Sequence, residues 1–499
     1  MRRRATACCI LALLVCALAS RQINRPAISQ ATAKDREQAT SEKSLKGQPE
    51  GEEDYYELLE MFVDALDQVE RNYIKDLSRR ELMEAAIEGM LSKLDQHTGY
   101  VPPEELDRFR TGVENEFGGI GIRVSVERGR LRVVSPLVGT PAYRAGVLAG
   151  DIVTHIEGEP AVDIKVDEAV KRLKGPVGSE VTLTVQSPDH PEGRQITMKR
   201  EIVRIQTVLG LHRLDDDSWE FLYDQESHIG YVRVTAFGRH TSRELRQALE
   251  SLVSQNMKGL VLDLRFNPGG LLSSAVEVSD LFLSEGRIVS TRGRNVDEQV
   301  WDAHRRGTFA DFPMVVLANQ FSASAAEIVS ACLQDHGRAV VVGQRTFGKG
   351  SVQNIIELEN GRSALKLTTA GYLRPNGKNI DRESSEPGSD EWGVSPNKGF
   401  EIYLSDLEAS RLANRRFQLD IIRKPREGDE ANDDLPDQQL QKAVAYLQDQ
   451  IKAASEKKKV SGTFFRPASA DLKILVRLWS WETFGLAFRR GRRPAPSAI

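Results

Sequence analysis

The stretch of residues 229–343 constrains the fold most, because short apolar runs alternate there with segments of helical period. Apolar runs bounded by glycine and polar residues are typical of buried strands. The predicted strands are residues 230–234, 259–264 and 314–317, and the predicted helices are residues 242–255 and 271–283. Strands and helices that alternate along the chain predict an α/β layer.

A serine and a lysine occupy two loops of this segment. Ser324 follows a predicted strand and stands at the start of a predicted helix, where backbone N–H groups favour negative charge. Lys349 lies among Gly343, Gly348 and Gly350, which suit a tight backbone. A serine hydroxyl becomes an effective nucleophile when a neighbouring base takes its proton, and burial can lower the pKa of a lysine enough for that role. This pattern of residue types predicts a serine–lysine hydrolase.

Two glycine patterns suggest nucleotide binding, and each lacks one necessary residue. The loop from Gly343 to Lys349 matches a phosphate-binding P-loop, but Gly350 stands where a serine or threonine should reach magnesium. The Gly-Ile-Gly sequence at 119–121 begins a dinucleotide fingerprint, but Val124 replaces its third glycine. The sequence therefore does not favour a nucleotide-binding site.

Histidine is an alternative base for a serine nucleophile, and His97, His240 and His336 are the candidates. The G-x-S-x-G pattern of many histidine-dependent hydrolases does not surround Ser324. A lysine base is therefore favoured over a histidine base. Glu327, one turn after Ser324, either orients a partner or complements the helix dipole.

Residues 117–203 show short alternating runs separated by glycines, which predicts a small β-rich domain with two helical inserts. The strings Phe-Gly-Gly-Ile-Gly-Ile at 117–122 and Thr-Pro-Ala-Tyr-Arg-Ala-Gly-Val at 140–147 resemble a PDZ domain. In such domains the glycine loop binds a peptide's C-terminal carboxylate through backbone N–H groups, and the next strand pairs with the peptide. A β-barrel without a ligand is the alternative. The resemblance implies these peptide-binding residues: Gly119, Ile120, Gly121 and Ile122.

The N-terminus has the three parts of a secretory signal: the basic residues 2–4, an apolar run at about 5–18, and Ala-Leu-Ala at 17–19. We expect residues 1–19 to be removed and the polar residues 20–53 to form a disordered linker. The protein is therefore expected to be exported to the periplasm or cell envelope. Retention of the segment as a membrane anchor is the second interpretation.

The cysteine content and the net charge argue against an internal disulfide and against a nucleic acid partner. Cys8, Cys9 and Cys16 lie within the signal, so the mature chain keeps Cys332 and can form no internal disulfide. Loss of the three signal arginines changes the formal net charge from −4 to about −7, so we expect no nucleic acid partner.

The chain ends in a basic tail at residues 457–499, which contains ten Lys or Arg and two acidic residues. Apolar residues near Arg477 and Arg489 fit a basic amphipathic helix at a membrane surface, and a poorly packed extension is the equal alternative. Any membrane association would run through this tail or the N-terminal segment. The apolar residues are Leu472, Leu475, Val476, Trp479 and Phe484.

Several motifs together look like the C-terminal processing (tail-specific) serine peptidase family, which carries a PDZ domain. The resemblance implies an α+β and α/β multidomain chain with a ClpP/crotonase-like α/β serine protease core at 204–425. It places a helical segment at 54–115, the PDZ-like domain at 116–203 and a further helical segment at 426–456. The motifs are Leu94-Asp95-Gln96-His97-Thr98, the PDZ-like strings, Asp263-Leu264-Arg265-x-Asn267-Pro268-Gly269-Gly270, the Ser324 stretch and Leu365-Lys366-Leu367-Thr368-Thr369-Ala370.

The resemblance also implies roles for particular residues. Ser324 would be the nucleophile, Lys349 the general base, and Gln353 a support for the lysine. The backbone N–H groups of Ala325 and Gly270 would form the oxyanion hole, with Gly269 as a close rival for the second place. No metal and no cofactor would be needed.

The expected function is that of an exported serine endopeptidase. It would recognise protein C-termini through its PDZ domain and cleave near them with a Ser-Lys dyad. Its partners would be protein or peptide substrates with free C-termini. The alternative is a catalytically silent PDZ scaffold on the same fold, which would need neither the serine nor the lysine.

Overall fold

The computed structural model describes residues 52–383, 385, 391–422 and 436–463. The chain divides into two compact units, Met1–Ala86 and Ile87–Ile499. The predicted signal peptide, most of the predicted linker and the amphipathic helix predicted near 472–484 lie outside the described residues. Of the helices that are described, none has the length and apolar content to cross a bilayer.

Two helices begin the described chain, α1 (Glu52–Asn72) and α2 (Arg79–Leu91). The backbone N–H of Ser78 donates to Glu81 Oε2 at 2.7 Å, and the N–H of Glu81 donates to Ser78 Oγ at 3.2 Å. This reciprocal arrangement is a capping box, which satisfies two N–H groups at the start of α2.

A short strand, β1 (Gly99–Val101), leads to helix α3 (Pro103–Glu114). The helix begins with proline, whose fixed φ suits the first helical position. It ends at Asn115, which adopts the left-handed conformation with φ 56°.

The PDZ-like domain follows α3. Its elements are β2 (Glu116–Gly119), β3 (Ile122–Glu127), β4 (Arg130–Pro136), α4 (Pro141–Arg144), β5 (Ile152–Ile156), β6 (Glu159–Pro160), α5 (Val166–Leu173), β7 (Glu180–Ser187), β8 (His190–Lys199) and β9 (Glu201–Arg204). Its main sheet is antiparallel with strand order β3-β4-β5-β7-β8. In β7, Val181, Leu183 and Val185 are buried while the threonines between them are half-buried, as expected for a strand with one face on a core.

The remaining chain forms the α/β region. Its elements are β10 (Val208–Leu209), β11 (Leu222–Asp224), β12 (Ile229–Val234), α6 (Thr241–Ser254), β13 (Gly259–Asp263), α7 (Leu272–Asp280), β14 (Arg287–Gly293), β15 (Gln299–Asp302), β16 (Met314–Ala318), α8 (Ala325–Asp335), β17 (Val340–Gly343), β18 (Ser351–Leu358), β19 (Ser363–Leu373), α9 (Asp406–Asp420) and α10 (Gln438–Thr463).

A parallel sheet forms the centre of this region, with neighbouring strands in the order β12-β13-β16-β17. Strands β12, β13 and β16 are buried along their whole length, as continuous apolar runs require. Helices α6, α7 and α8 contribute to the apolar core on one face, and α10 packs on the other through Ala443, Val444 and Leu447. The predicted α/β layer is confirmed, although α7 is shorter than predicted.

A second sheet lies beside the first, with order β1-β19-β14-β15 and β18 paired to β19. The β18–β19 hairpin was not predicted, because β18 is partly exposed, β19 is largely half-buried, and both strands mix polar and apolar residues without a clear period. Helices, a β-rich PDZ-like domain and an α/β core together confirm the mixed multidomain fold class.

Candidate active site

Three loops converge beyond the carboxyl ends of the parallel strands. One follows β13 and carries Asn267 to Gly270, a second follows β16 and carries Ser324, and a third follows β17 and carries Lys349. Because β13, β16 and β17 are parallel neighbours, their carboxyl ends share one edge of the sheet. This edge is where α/β folds commonly place their functional groups.

Ser324 precedes α8 and has φ 54° and ψ −116°. A non-glycine residue with positive φ is strained and persists only when its surroundings hold it. Two neighbours do so: the N–H of Ser324 donates to Glu327 Oε2 at 2.8 Å, and the N–H of Ala323 donates to the carbonyl of Asn267 at 3.0 Å. The serine therefore stands at a helix N-terminus in a conformation fixed by its neighbours.

The Asn267–Gly270 loop packs directly against Ser324. Gly269 has φ 103°, and a Cβ atom built on it would lie 2.7 Å from Ser324 Cβ, so a side chain there would collide with the serine. The N–H of Gly269 already donates to Asn267 Oδ1 at 2.8 Å. Gly270 bridges to Phe237, whose carbonyl accepts the N–H of Leu271 at 2.7 Å. The loop is thus held on both sides of Gly269 and Gly270.

Lys349 is half-buried in a loop that needs its neighbouring glycines. A Cβ atom on Gly348 would lie 2.8 Å from the ring of Trp392, and one on Gly350 would lie 2.1 Å from Asn379 Oδ1. Burial, and then the charge of Lys366, lower the pKa of Lys349 below its ordinary value of 10.5. The direction of this shift is the one that a lysine base requires.

Glu327 connects the serine and lysine loops. Its buried carboxylate accepts the backbone N–H groups of Ser324, Gly348 and Lys349 at 2.8, 2.7 and 2.9 Å, and also the hydroxyl of Thr346. Burial raises the pKa of Glu327 to about 7 despite these hydrogen bonds. Of the two interpretations considered from sequence, the structure favours the orienting one, because the side chain bonds to two loops outside its own helix.

Gln353 lies on β18 opposite Thr368 of β19. Its amide nitrogen donates to Ser351 Oγ at 2.9 Å and to Thr368 Oγ1 at 3.2 Å. Thr368 in turn donates to Asp95 Oδ1 at 3.2 Å. The hydrogen bonds of the Gln353 amide nitrogen therefore connect β18 through Thr368 of β19 to the Leu94–Thr98 motif.

The three histidines occupy different surroundings. His240 Nε2 contacts Glu116, and His336 Nε2 lies 2.7 Å from the carbonyl of Arg287, so both rings are engaged away from Ser324. His97 lies closer to the lysine: burial and then the charge of Lys349 lower the pKa of His97 below its usual range. It lines a cavity of about 290 Å³ with Gln96, Phe347, Gly348, Asp381, Arg382 and Glu383.

A buried tyrosine to which no sequence motif points also lies at this site. Tyr372 of β19 is buried, and its hydroxyl lies 3.2 Å from the carbonyl oxygen of Ser324 and contacts that of Lys349. The motif that runs from Asp263 to Gly270 begins with an ion pair, in which Arg265 and Asp263 are joined at 2.7 Å and both side chains are fully buried. No sequence signal distinguishes Tyr372, because its contacts depend on the long-range pairing of β19 with β14.

The predicted peptide-binding residues run from the last residue of β2 to the first residue of β3. Ile120 is buried, its carbonyl accepts the N–H of Ala142 at 2.9 Å, and the carbonyl of Gly121 accepts the N–H of Leu137 at 2.9 Å. Gly119 pairs with Glu201 at the end of β2. Ile122 begins β3, which in the described sheet pairs on one side only, with β4.

Within the described ranges, no group of three or more His, Cys, Asp or Glu side chains is arranged to hold a metal ion.

Comparison with protein families gives three matches along the chain. Residues 228–397 match the model of peptidase family S41, residues 132–187 match a PDZ domain, and residues 22–101 match the N-terminal domain of the activating protease CtpB.

Two curated relatives are similar over most of their length. The chain is 39% identical over 365 residues to a carboxy-terminal-processing protease of Bartonella bacilliformis, which covers 72% of this chain and 81% of the relative. It is 33% identical over 357 residues to a carboxyl-terminal-processing protease of Synechocystis, which covers 70% and 79%.

Among solved structures, the photosystem II D1 C-terminal processing protease is 27% identical, covering 68% of this chain and 92% of that chain at a TM-score of 0.39. At that score the structural overlap adds nothing to the similarity of the sequences.

Proposed function

Because the chain belongs to the carboxy-terminal-processing protease family, and is therefore a serine-type peptidase with a PDZ domain, we propose that Ser324 and Lys349 perform its chemistry as a dyad. One observation in particular supports the dyad. A single carboxylate oxygen, Glu327 Oε2, accepts the backbone N–H of both Ser324 and Lys349, which brings the two residues together. A catalytically silent scaffold is not favoured in a peptidase family when both residues are present.

The mechanism follows from the two side chains. Neutral Lys349 takes the proton of Ser324 Oγ as this oxygen attacks the carbonyl carbon of the scissile peptide bond. The resulting ammonium gives that proton to the leaving amine, which breaks the C–N bond and leaves an ester on Ser324. Lys349 then takes a proton from water, which attacks the ester. Return of that proton to Ser324 Oγ releases the new carboxyl terminus.

The oxyanion of each tetrahedral intermediate needs two N–H donors. Ala325 supplies one because it is the first residue of α8, where N–H groups have no partner within the helix. For the second we prefer Gly270 to Gly269, because the Gly269 N–H is already donated to Asn267.

Gln353 is proposed to support Lys349 through its amide oxygen. The amide nitrogen faces the hydroxyls of Ser351 and Thr368. The amide oxygen is therefore the atom suited to accept a hydrogen bond from the Lys349 ammonium.

The PDZ-like domain is proposed to bind the free C-terminus of a protein or peptide substrate. The open edge of β3 supports this role, because an extended peptide can add to such an edge as a further strand. Backbone N–H groups in the segment of Gly119, Ile120, Gly121 and Ile122 would bind the terminal carboxylate.

The place of action is proposed to be the periplasm or cell envelope, after removal of residues 1–19 as a secretory signal. Mass spectrometry of the N-terminus of the cell-extracted protein tests this. Ser20 as the first residue supports export and cleavage, and retained residues 1–19 contradict cleavage.

The proposed function is tested with the chain from Ser20 onward and its Ser324→Ala variant, each mixed with an unfolded protein that ends in apolar residues. The proposal expects cleavage by the parent alone. Equal cleavage by both chains would remove Ser324 as the nucleophile, and binding without cleavage by both would support the scaffold.

A further inference from the structure

Ser324 and Lys349 belong to different loops, and proton transfer between their side chains requires an approach of about 2.6–3.2 Å. Neither residue lies inside a helix or strand: Ser324 precedes α8, and Lys349 precedes β18. Loop positions vary more than those of the elements they connect. The separation of these two residues therefore depends on contacts that join the loops directly.

Glu327 joins the two loops through their backbone N–H groups. Its Oε2 atom accepts the N–H groups of Ser324 at 2.8 Å and Lys349 at 2.9 Å, and its Oε1 atom accepts the N–H of Gly348 at 2.7 Å. The carboxylate thus holds the two backbones from one side.

The backbone carbonyl groups of Ser324 and Lys349 share a second partner, Tyr372. The hydroxyl of Tyr372 lies 3.2 Å from the carbonyl oxygen of Ser324 and contacts that of Lys349. The backbone N–H of Tyr372 also donates to the carbonyl of Gly350 at 2.9 Å. Tyr372 is therefore fixed to the lysine loop by its backbone, and its hydroxyl reaches the serine loop.

The tyrosine suits this role chemically. Burial, and then the charges of Glu327 and Asp381, raise the pKa of Tyr372 well above its usual value of 10. The hydroxyl therefore stays protonated near neutral pH and can donate its one proton to either carbonyl.

We propose that Tyr372 is a positioning residue that, opposite Glu327, sets the separation of Ser324 and Lys349. This inference rests on the proposed dyad and adds the element that aligns it. Tyr372 touches the backbone of the two residues and needs no contact with substrate. Its hydroxyl should therefore affect the chemical step and leave substrate capture at the PDZ-like domain unchanged.

The test compares Tyr372→Phe with Tyr231→Phe in the chain from Ser20 onward. Tyr231 is a matched control, because it is also buried and its hydroxyl donates to Asp263 at 2.8 Å, away from both loops. The kcat and KM for a peptide substrate are measured across pH, together with the thermal unfolding temperature. Lys349→Ala is measured beside them.

We expect Tyr372→Phe to lower kcat by about 10- to 100-fold, the loss that a misplacement of about 1 Å can cause, with KM within about twofold of the parent. We also expect the ascending limb of its pH–kcat profile to move, because the surroundings of Lys349 change. Tyr231→Phe should keep the kcat and pH profile of the parent even if its unfolding temperature falls.

Two results would overturn the inference: a Tyr372→Phe chain with the kcat and pH profile of the parent, or a Tyr231→Phe chain with the same losses as Tyr372→Phe. If Tyr372→Phe does not fold, Glu327→Gln replaces it. If that variant keeps the kcat of the parent and the ascending limb of its pH–kcat profile, the inference that Glu327 and Tyr372 together set the separation of Ser324 and Lys349 is equally contradicted. Activity retained by Lys349→Ala would instead refute the proposed dyad, so the two failures can be told apart.

Discussion

Glu327 Oε2 accepts the backbone N–H of Lys349 at 2.9 Å, although the two residues lie 22 positions apart in the sequence. The same oxygen accepts the N–H of Ser324 at 2.8 Å. A buried carboxyl thus joins the two loops that carry the proposed nucleophile and base. Its ionisation should therefore be visible in the stability of the fold.

We expect Glu327→Gln to remove a pH dependence of stability. The pKa of Glu327 in the folded chain is about 7, above the ordinary 4.5, so the folded state holds an extra proton between these values. The contribution is complete below about pH 4.5 and is lost as the pH rises through 7, a change of roughly 3 kcal/mol. Urea unfolding of both chains at about pH 4.5 and about pH 8 measures the difference. Identical changes in the two chains would contradict the shifted pKa.

Gly269→Ala should abolish most activity, because the new Cβ atom would lie 2.7 Å from Ser324 Cβ. We expect kcat to fall by about 100-fold or more, the effect of disturbing an oxyanion site. Gly377→Ala is the control, since Gly377 also has positive φ but has no atom within 4 Å of the added Cβ. The rate of peptide hydrolysis is measured for both variants. A Gly269→Ala chain as active as Gly377→Ala would refute the close packing of Gly269 against Ser324.

The buried ion pairs of Asp263 with Arg265 and Arg416 should stabilise the folded chain. Burial would raise the pKa of Asp263, but the guanidinium groups of Arg265 and Arg416 hold it well below its usual range. We expect Asp263→Asn to lower the free energy of unfolding by about 3–5 kcal/mol, because buried Arg416 loses its carboxylate partner and buried Arg265 keeps only its pair with Asp437. Denaturant unfolding measures this change.

The control for that experiment is Glu357→Gln, which removes the exposed pair with Arg110 at 2.9 Å. An exposed pair contributes about 0–1 kcal/mol, so this variant should unfold almost as the parent does. Equal losses in the two variants would show that burial does not govern the strength of these pairs.

Amidation of a substrate's C-terminus should weaken capture and leave the chemical step intact. The proposed carboxylate site would lose its charged ligand, so we expect KM to rise by about tenfold or more with little change in kcat. Parallel hydrolysis of one peptide in its free-acid and amidated forms measures this. Unchanged KM would remove the PDZ-like domain from substrate recognition.

The α/β core could be predicted because β12, β13 and β16 are buried on both faces and read as continuous apolar runs. The β18–β19 hairpin could not be predicted, because β18 is partly exposed, β19 is largely half-buried, and both strands are partly polar. Long-range pairing, which no local pattern encodes, decides its position.

At the site, sequence reasoning identified Ser324 and Lys349 from residue type, spacing and family resemblance. It left the role of Glu327 open, because a first-turn glutamate serves the helix dipole equally well. Only the folded chain shows its bonds to the lysine loop. Tyr372 was missed because its hydroxyl meets Ser324 and Lys349 only after β19 has paired with β14.

The most direct test of the dyad is the rate at which a serine-directed acylating reagent modifies Ser324 in the parent, Lys349→Ala and Lys378→Ala chains as the pH is raised. Lys378 is the control because it is an exposed lysine paired with Glu391. We expect the parent and Lys378→Ala rates to rise with an apparent pKa below 10.5, and we expect Lys349→Ala to lose this rise and to react at least about 100-fold more slowly. Parent-like modification of Ser324 in the Lys349→Ala chain would show that Lys349 is not the base.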